Sequence, residues 1–245
     1  MNEQLLLENI RDVLARLEDT IIFALIERAQ FCVNAIVYKR GAFRAEIGEE
    51  SLAGYMLRET ERTHARVRRY TSPDEHPFFT DLPDPVLPLL RYDENPLRTN
   101  TINFNDPIRR MYETEMIPFL CRPGDDSQYG SSAVCDVACL QALSKRIHYG
   151  KFVVESKYQA RPAFFRPLMA ARDTGGLMAG ITNEEVEAQV LERVGEKART
   201  YGYGVEPHGS LPKISPERVV QAYRKWIIPM TKEVQVAYLL QRPCD

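Results

Sequence analysis

Long apolar runs are missing from this 245-residue sequence. No window approaches the run of about eighteen apolar residues that a membrane helix needs, so no span is expected. An excess of charge is missing too. With 32 basic and 34 acidic side chains the formal net charge is −2, which gives no field to gather nucleic acid or an anionic membrane. Cysteines are few, odd in number and scattered: Cys32, Cys121, Cys135, Cys139 and Cys244. That excludes a disulfide framework and favours reduced thiols in the cytoplasm. Cys135 and Cys139 stand one helical turn apart, but no histidine sits at ligand spacing, so they read as buried spectators and no metal is expected. The usual catalytic signatures are absent as well. There is no HExxH, no CxxC and no Gly-x-Ser-x-Gly elbow, and "YGYG" at 201–204 lacks the later glycine and preceding strand of a phosphate loop. Four dispersed histidines (His64, His76, His148, His208) offer no evident base. The N-terminal "MNEQLLLENIRD" has no basic segment ahead of an apolar one, so it is not a signal peptide. A cytoplasmic address is expected, with secretion the alternative for a chain cut from a longer precursor.

What remains is helical. Alternating strand patterns are nearly absent, and no repeat or low-complexity segment divides the chain, so the expected fold class is all-α, one helical-bundle domain over 1–245. Residues 1–40 lack glycine and proline and carry a stripe through Leu6, Ile10, Val13, Leu14, Leu17 and Ile21, which predicts one long helix with a break before Asn34. A second helix is expected over 49–70, then an irregular proline-rich connection over 71–107 and a helix over 106–120. "RVRR" at Arg66–Arg69 reads as a solvated helix face. One long helix follows over 131–159, with short pieces through 179. The next opens with Thr182 and Glu185 at capping-box spacing and ends at Gly202. "YGYGVEPHGSLPK" reads as loop. Ser215-Pro216-Glu217 starts a last helix to about residue 242, kinked at Pro229.

One pattern breaks the rule that helices turn charge outward. Wound at 100° per residue, the 131–159 segment gathers Cys139, Ala142, Leu143, Gly150, Val153 and Val154 on one side and turns Ser144, His148, Lys151 and Glu155 toward water. Arg146 and Lys157 project from the middle of the apolar side. In the helix after Thr182, Glu187 sits among Val190, Leu191, Val194 and Ala198, with Asn183 one turn before. In the last helix Thr231 and Gln235 form an i, i+4 pair beside an apolar stripe, and Arg11 flanks the stripe of the first helix. Burying an uncompensated charge costs several kcal/mol. Two explanations compete: an internal salt bridge from Arg146 or Lys157 to Glu187, or a solvated cavity lined by these groups for a small anion. Arg146 and Lys157 are roughly 16 Å apart along the axis at 1.5 Å per residue, which leaves room for one compact polyanion between them.

The blocks "NIRDVLARLEDTIIFALIERAQF", "RRYTSPDEHPFF", "GSSAVCDVACLQALSKRIHYGKFVVESKYQ", "ITNEEVEAQVLERV" and "IIPMTKEVQ" resemble, in order and spacing, the all-helical chorismate mutases of fungi and plants. The resemblance implies a cofactor-free pericyclic rearrangement of chorismate to prephenate, in a homodimer. Such a reaction needs carboxylate clamps, and donors aimed at the ether oxygen that gathers charge as its C–O bond breaks. By position, the resemblance implies Arg11 and Arg146 as clamps and Lys157 and Gln235 as donors to the ether oxygen. It implies Glu187 as acceptor from the ring hydroxyl, with Asn183 and Thr231 supporting binding. The fungal pattern usually has glutamate at the position of Gln235; an amide donates at any ordinary pH, whereas a carboxyl must first be protonated. Regulated relatives carry a tyrosine-inhibited, tryptophan-activated site at the dimer interface, which Arg68, Arg69, Gly130 and Ser131 match. Val134 replaces the usual threonine there and Gln128 the usual asparagine, so altered or absent aromatic-amino-acid control is expected. The rival reading is a non-catalytic mutase-like module that senses an aromatic or shikimate-pathway metabolite.

Overall fold

A computed structural model describes residues 7–90, 95–202 and 214–243. Its helices are α1 Leu7–Arg28, α2 Arg44–Ile47, α3 Leu52–Arg66, α4 Asn105–Met111, α5 Ile117–Leu120, α6 Tyr129–His148, α7 Gly150–Ala160, α8 Pro162–Ala170, α9 Thr174–Ile181, α10 Glu184–Gly202, α11 Pro216–Ala222 and α12 Ile228–Gln241. Among the described residues the β-type pairing is one isolated bridge, Cys32 with Arg122. The all-α expectation holds. No helix among these residues is long and apolar enough to cross a membrane. The Cys244 position and most of "YGYGVEPHGSLPK" lie outside the described residues.

The first helix is shorter than expected, because Arg28 ends it. Its buried guanidinium reaches Asp136 Oδ1 at 2.7 Å and the carbonyls of Cys32 and Val33 at 3.0 Å each. Those carbonyls turn inward only if the chain leaves the helix. Asn34 then takes a left-handed conformation with φ 51° and ties the turn to Asp126 and Ser132. Tyr38 and Tyr112 also donate to Asp136, so this buried charge pair is fully satisfied.

Two wide π-turns, Tyr112–Met116 and Tyr223–Ile227, interrupt otherwise continuous helices. Each comes just before a proline, Pro118 or Pro229, whose missing N–H would leave one carbonyl of a regular ladder unanswered. The kink expected at Pro229 therefore takes the form of a widened turn.

The expected 131–159 helix divides into α6 and α7 at Tyr149. Here α12 comes unusually close. A Cβ on Gly150 would lie 2.9 Å from the Thr231 carbonyl oxygen and 3.0 Å from Thr231 Cγ2. Only glycine admits that approach, and it sets Thr231 and Gln235 against the α6–α7 junction. Leu140, Leu143 and Ile147 of α6 share one core cluster with Ile22 and Leu25 of α1 and with Ile227 and Val234 of the C-terminal helices. Val154 and Tyr158 of α7 share a second with Ile10, Ile181 and Tyr238. Each fully buried Leu or Ile side chain contributes about 1.5–3 kcal/mol.

The side of α6–α7 expected to face water is buried instead. Ser144, His148, Lys151 and Glu155 are at most 2% exposed. The proline-rich connection folds back over them and the C-terminus closes the rest. Ser144 donates to Asn105 Oδ1 at 2.6 Å, and His148 Nε2 accepts from the Phe104 N–H at 2.8 Å. Lys151 Nζ meets His76 Nε2, Asn100 Oδ1 and the Ile102 carbonyl. Glu155 accepts from Arg242 and Tyr238. His76 and His148 stack with centroids 4.1 Å apart, a pairing that their sequence separation hides.

Candidate functional site

With both faces of α6–α7 buried, what singles out Arg146 is its lack of partners. Arg146 is 5% exposed, no carboxylate among the described residues lies within ion-pair distance, and its Nε has no hydrogen-bond partner. Its one polar contact among the described residues is a long one, Nη1 donating to Thr231 Oγ1 at 3.5 Å, while that hydroxyl donates its own proton to the Ile227 carbonyl at 2.6 Å. The other buried charges are answered. Arg28 has Asp136, Glu155 has Arg242, and Glu61 accepts the backbone N–H groups of Phe78 and Phe79. Glu18, the acid whose field reaches Arg146, has both oxygens held by Arg193 at 2.7 and 2.8 Å. Burial pushes the Arg146 pKa below the usual arginine value, and the field of Glu18 only partly opposes it.

The unanswered atoms collect here. Five buried side-chain polar atoms lack partners among the described residues, and three of them are Arg146 Nε, Gln235 Oε1 and Tyr223 Oη. Gln235 Nε2 donates weakly to the Thr231 carbonyl at 3.3 Å, which leaves a second N–H on that nitrogen. Tyr223 is fully buried on the π-turn that ends at Ile227, whose carbonyl meets the same Thr231 hydroxyl that Arg146 reaches, and Arg146 is the first charge acting on it. A protein rarely leaves buried donors and acceptors unpaired, since each costs about 1–3 kcal/mol. A cluster of them around a bare cation has the chemistry of an anion receptor. Sequence reasoning missed Tyr223, because it lies within the wide turn, where the helical face count fails.

The remaining expected site residues fall nearby but in a separate group. Lys157 is half-buried, with Nζ donating to the Ile181 carbonyl at the end of α9. Burial, then the neighbouring Arg161, pushes its pKa down, while Glu187 acts against this. Lys157 and Asn183 line a common cleft of about 430 Å³ with Arg161 and Ile181. Asn183, not Thr182, caps α10: its Oδ1 accepts from the Val186 N–H at 3.1 Å, while Thr182 Oγ1 turns back to the Met178 carbonyl. Glu187 pairs with Lys232 at 3.0 Å, so the internal bridge to Arg146 or Lys157 is not formed. Arg11 lies on the exposed side of α1, one residue from Ile10, which packs against α7. The structure thus joins Arg146, Thr231 and Gln235 in one buried group and Lys157, Asn183 and Glu187 in a second, and leaves Arg11 exposed on α1.

The four expected effector residues do not meet within one chain. Arg69 is held by Glu75, His64 and Gln141. Arg68 sits in the left-handed region at φ 71° and donates to the Pro88 carbonyl. These two are therefore folded into local structure rather than laid along a solvated helix face. Gly130 and Ser131 are exposed at the start of α6, about 16 Å along the helix from Gln141 at 1.5 Å per residue. Val134 is exposed beside them. The described residues bring together no group of three or more histidine, cysteine or acidic side chains fit to hold a metal.

The family model described as chorismate mutase type II matches residues 128–236, the span that carries α6 through most of α12. The maize "Chorismate mutase 1, chloroplastic" is 51% identical, over 98% of this chain and 80% of its own. The Schizosaccharomyces pombe "Chorismate mutase" is 46% identical over 99% and 98%. Among solved structures, AtCM1 with tyrosine bound in its allosteric site matches with a TM-score of 0.90 at 49% identity, over 99% and 98% of the two chains. The Candida albicans chorismate mutase in complex with L-Trp also matches at 0.90, with 41% identity over 97% and 92%.

Proposed function

The chain belongs to the chorismate mutase type II family, and on that premise we propose which of its residues perform the reaction. A chorismate mutase rearranges chorismate to prephenate. Its substrate carries two carboxylates, so the buried, unpaired guanidinium of Arg146 is the observation that carries the assignment. Arg146 holds one carboxylate in a two-pronged grip and Arg11, swinging in from the rim of α1, holds the other. Gln235 offers its remaining N–H, and Lys157 its ammonium, to the ether oxygen. Glu187 accepts from the ring hydroxyl, and Asn183 and Thr231 support binding. No cofactor takes part.

The energetics suit this division. An enzyme at the low end of the range must supply about 8 kcal/mol. One preorganised donor at a developing oxyanion is worth about 3–4 kcal/mol, and two donors plus a restrained chair-like substrate reach that sum. Turnover followed by loss of chorismate absorbance tests the roles. Lys157→Ala should lower kcat by about a hundredfold or more, and Arg11→Ala should act chiefly on KM. A fully active Lys157→Ala variant would remove Lys157 from the site.

The same reading extends to assembly and control. Arg68 and Arg69 of one protomer meet Gly130 and Ser131 of a second in a homodimer, which is the way to unite groups that a single chain keeps apart. This site takes tyrosine or tryptophan; AtCM1 is solved with tyrosine in an allosteric site and the Candida albicans enzyme in complex with L-Trp. Val134 offers no hydroxyl to a tyrosine phenol, so feedback is weakened; assays with and without each amino acid decide. The 245 residues act as one domain. The maize relative is named chloroplastic and the S. pombe relative carries no such label; a cytoplasmic address rests on the scattered cysteines.

A further inference from the structure

Tyr223 is fully buried, yet its hydroxyl has no partner among the described residues. It belongs to the π-turn Tyr223–Ile227, which rotates side chains away from the register a regular helix would give. Removing that hydroxyl from water without an answering group is a standing cost. Its neighbours in charge are Arg146 first, then Glu18, Asp19 and Arg193. The two acids are already engaged, Glu18 by Arg193 and Asp19 by Lys197 and Tyr201. So the acceptor that Tyr223 awaits is not one of the acids near it. Burial holds the phenol protonated well past the usual range, so it is a donor at any working pH.

We propose that Tyr223 Oη is a further substrate-binding donor, reaching the same substrate carboxylate that Arg146 clamps. This rests on the reading of Arg146 as a clamp and deepens it. A carboxylate has about four acceptor sites, and a guanidinium fork uses two of them. A phenol set beside the fork supplies a third bond and fixes the rotation of the carboxylate about its C–C axis. It selects a dianionic substrate over an analogue whose carboxylate is esterified or amidated.

The test is Tyr223→Phe, which removes the oxygen alone. Expected is a fall in kcat/KM of about ten- to a hundredfold, the scale of one hydrogen bond to a charged group. Most of the fall should lie in KM, and calorimetric binding of prephenate should weaken by a matching factor. The melting temperature should hold or rise, because the fold loses only an unpaired hydroxyl. A kcat/KM within twofold of the parent would overturn the proposal, and so would a lower melting temperature with activity lost only in proportion to unfolding. Arg146→Lys, run alongside, separates the two readings. If it abolishes turnover while Tyr223→Phe is silent, Tyr223 alone is dismissed; if both are silent, the clamp reading falls as well.

Discussion

Replacing Arg146 by methionine should make the protein more stable and nearly inactive. The side chain is 5% exposed, and among the described residues no anion lies in ion-pair reach and its Nε is unpaired. The fold therefore bears most of the desolvation cost of a cation without the Coulombic return. Exchange of buried ionic groups for apolar ones of similar volume has stabilised proteins by about 1–4 kcal/mol. At about 2–4 °C per kcal/mol for a chain of this size, the gain is visible in a thermal melt. Activity should move the other way. Losing one side of a buried charged grip costs about 2–5 kcal/mol, roughly thirty- to several-thousandfold in kcat/KM. Arg28 is the control: it is 1% exposed, but Asp136 sits 2.7 Å from its Nε. Arg28→Met strands that carboxylate and should cost about 3–5 kcal/mol. Urea melts and chorismate turnover on both variants complete the comparison. If Arg146→Met loses stability as Arg28→Met does, Arg146 has a partner within the fold and the reasoning fails.

Gln235→Glu should introduce a decline in turnover between mildly acidic and neutral pH that the parent lacks, because only the protonated carboxyl donates; a flat profile for the variant would remove position 235 from the ether oxygen. The parent should lose activity on the alkaline side earlier than an ordinary lysine would dictate, since burial lowers the Lys157 pKa. Burial lowers His148 to about 3, and its folded value below the unfolded one means that the unfolded chain binds more protons as pH falls past about 6.5. Stability should therefore drop by about 2 kcal/mol between pH 6.5 and 5 from this group, measured by urea midpoints, and a His148→Asn variant should show a shallower acid slope. Gly150→Ala should destabilise by about 1–3 kcal/mol despite alanine's better helix propensity. The new methyl would meet the Thr231 carbonyl at 2.9 Å, and backbone cannot give way as a side-chain tip can.

The odd orientation of Arg146 was legible because helical periodicity reports which residues share a face. Whether the opposite face meets water was not, since that depends on elements distant in sequence. His148 and Lys151 look solvent-directed until the 71–107 connection folds over them, bringing His76, Asn100 and the Ile102 carbonyl as partners. Prolines announce that such a segment is irregular, not where it lies. The end of α1 was misjudged for a related reason: Arg28 is an excellent helix former locally, and only Asp136, 108 residues away, makes the turn worthwhile. Thr182 and Asn183 are both good caps, and the spacing to Glu185 pointed to Thr182, whereas Asn183 takes the role. Tyr223 was invisible because a wide turn breaks the 3.6-residue count on which face assignment rests.

At the centre of the account is a buried guanidinium that waits for a carboxylate from outside the protein. A crystal structure with a stable dicarboxylate mimic of the chair-like transition state tests this most directly. One carboxylate should lie within hydrogen-bond distance of Arg146, with the Gln235 amide turned to the ether position. A mimic bound elsewhere, with Arg146 closed onto Glu18 or another protein acid, would contradict it.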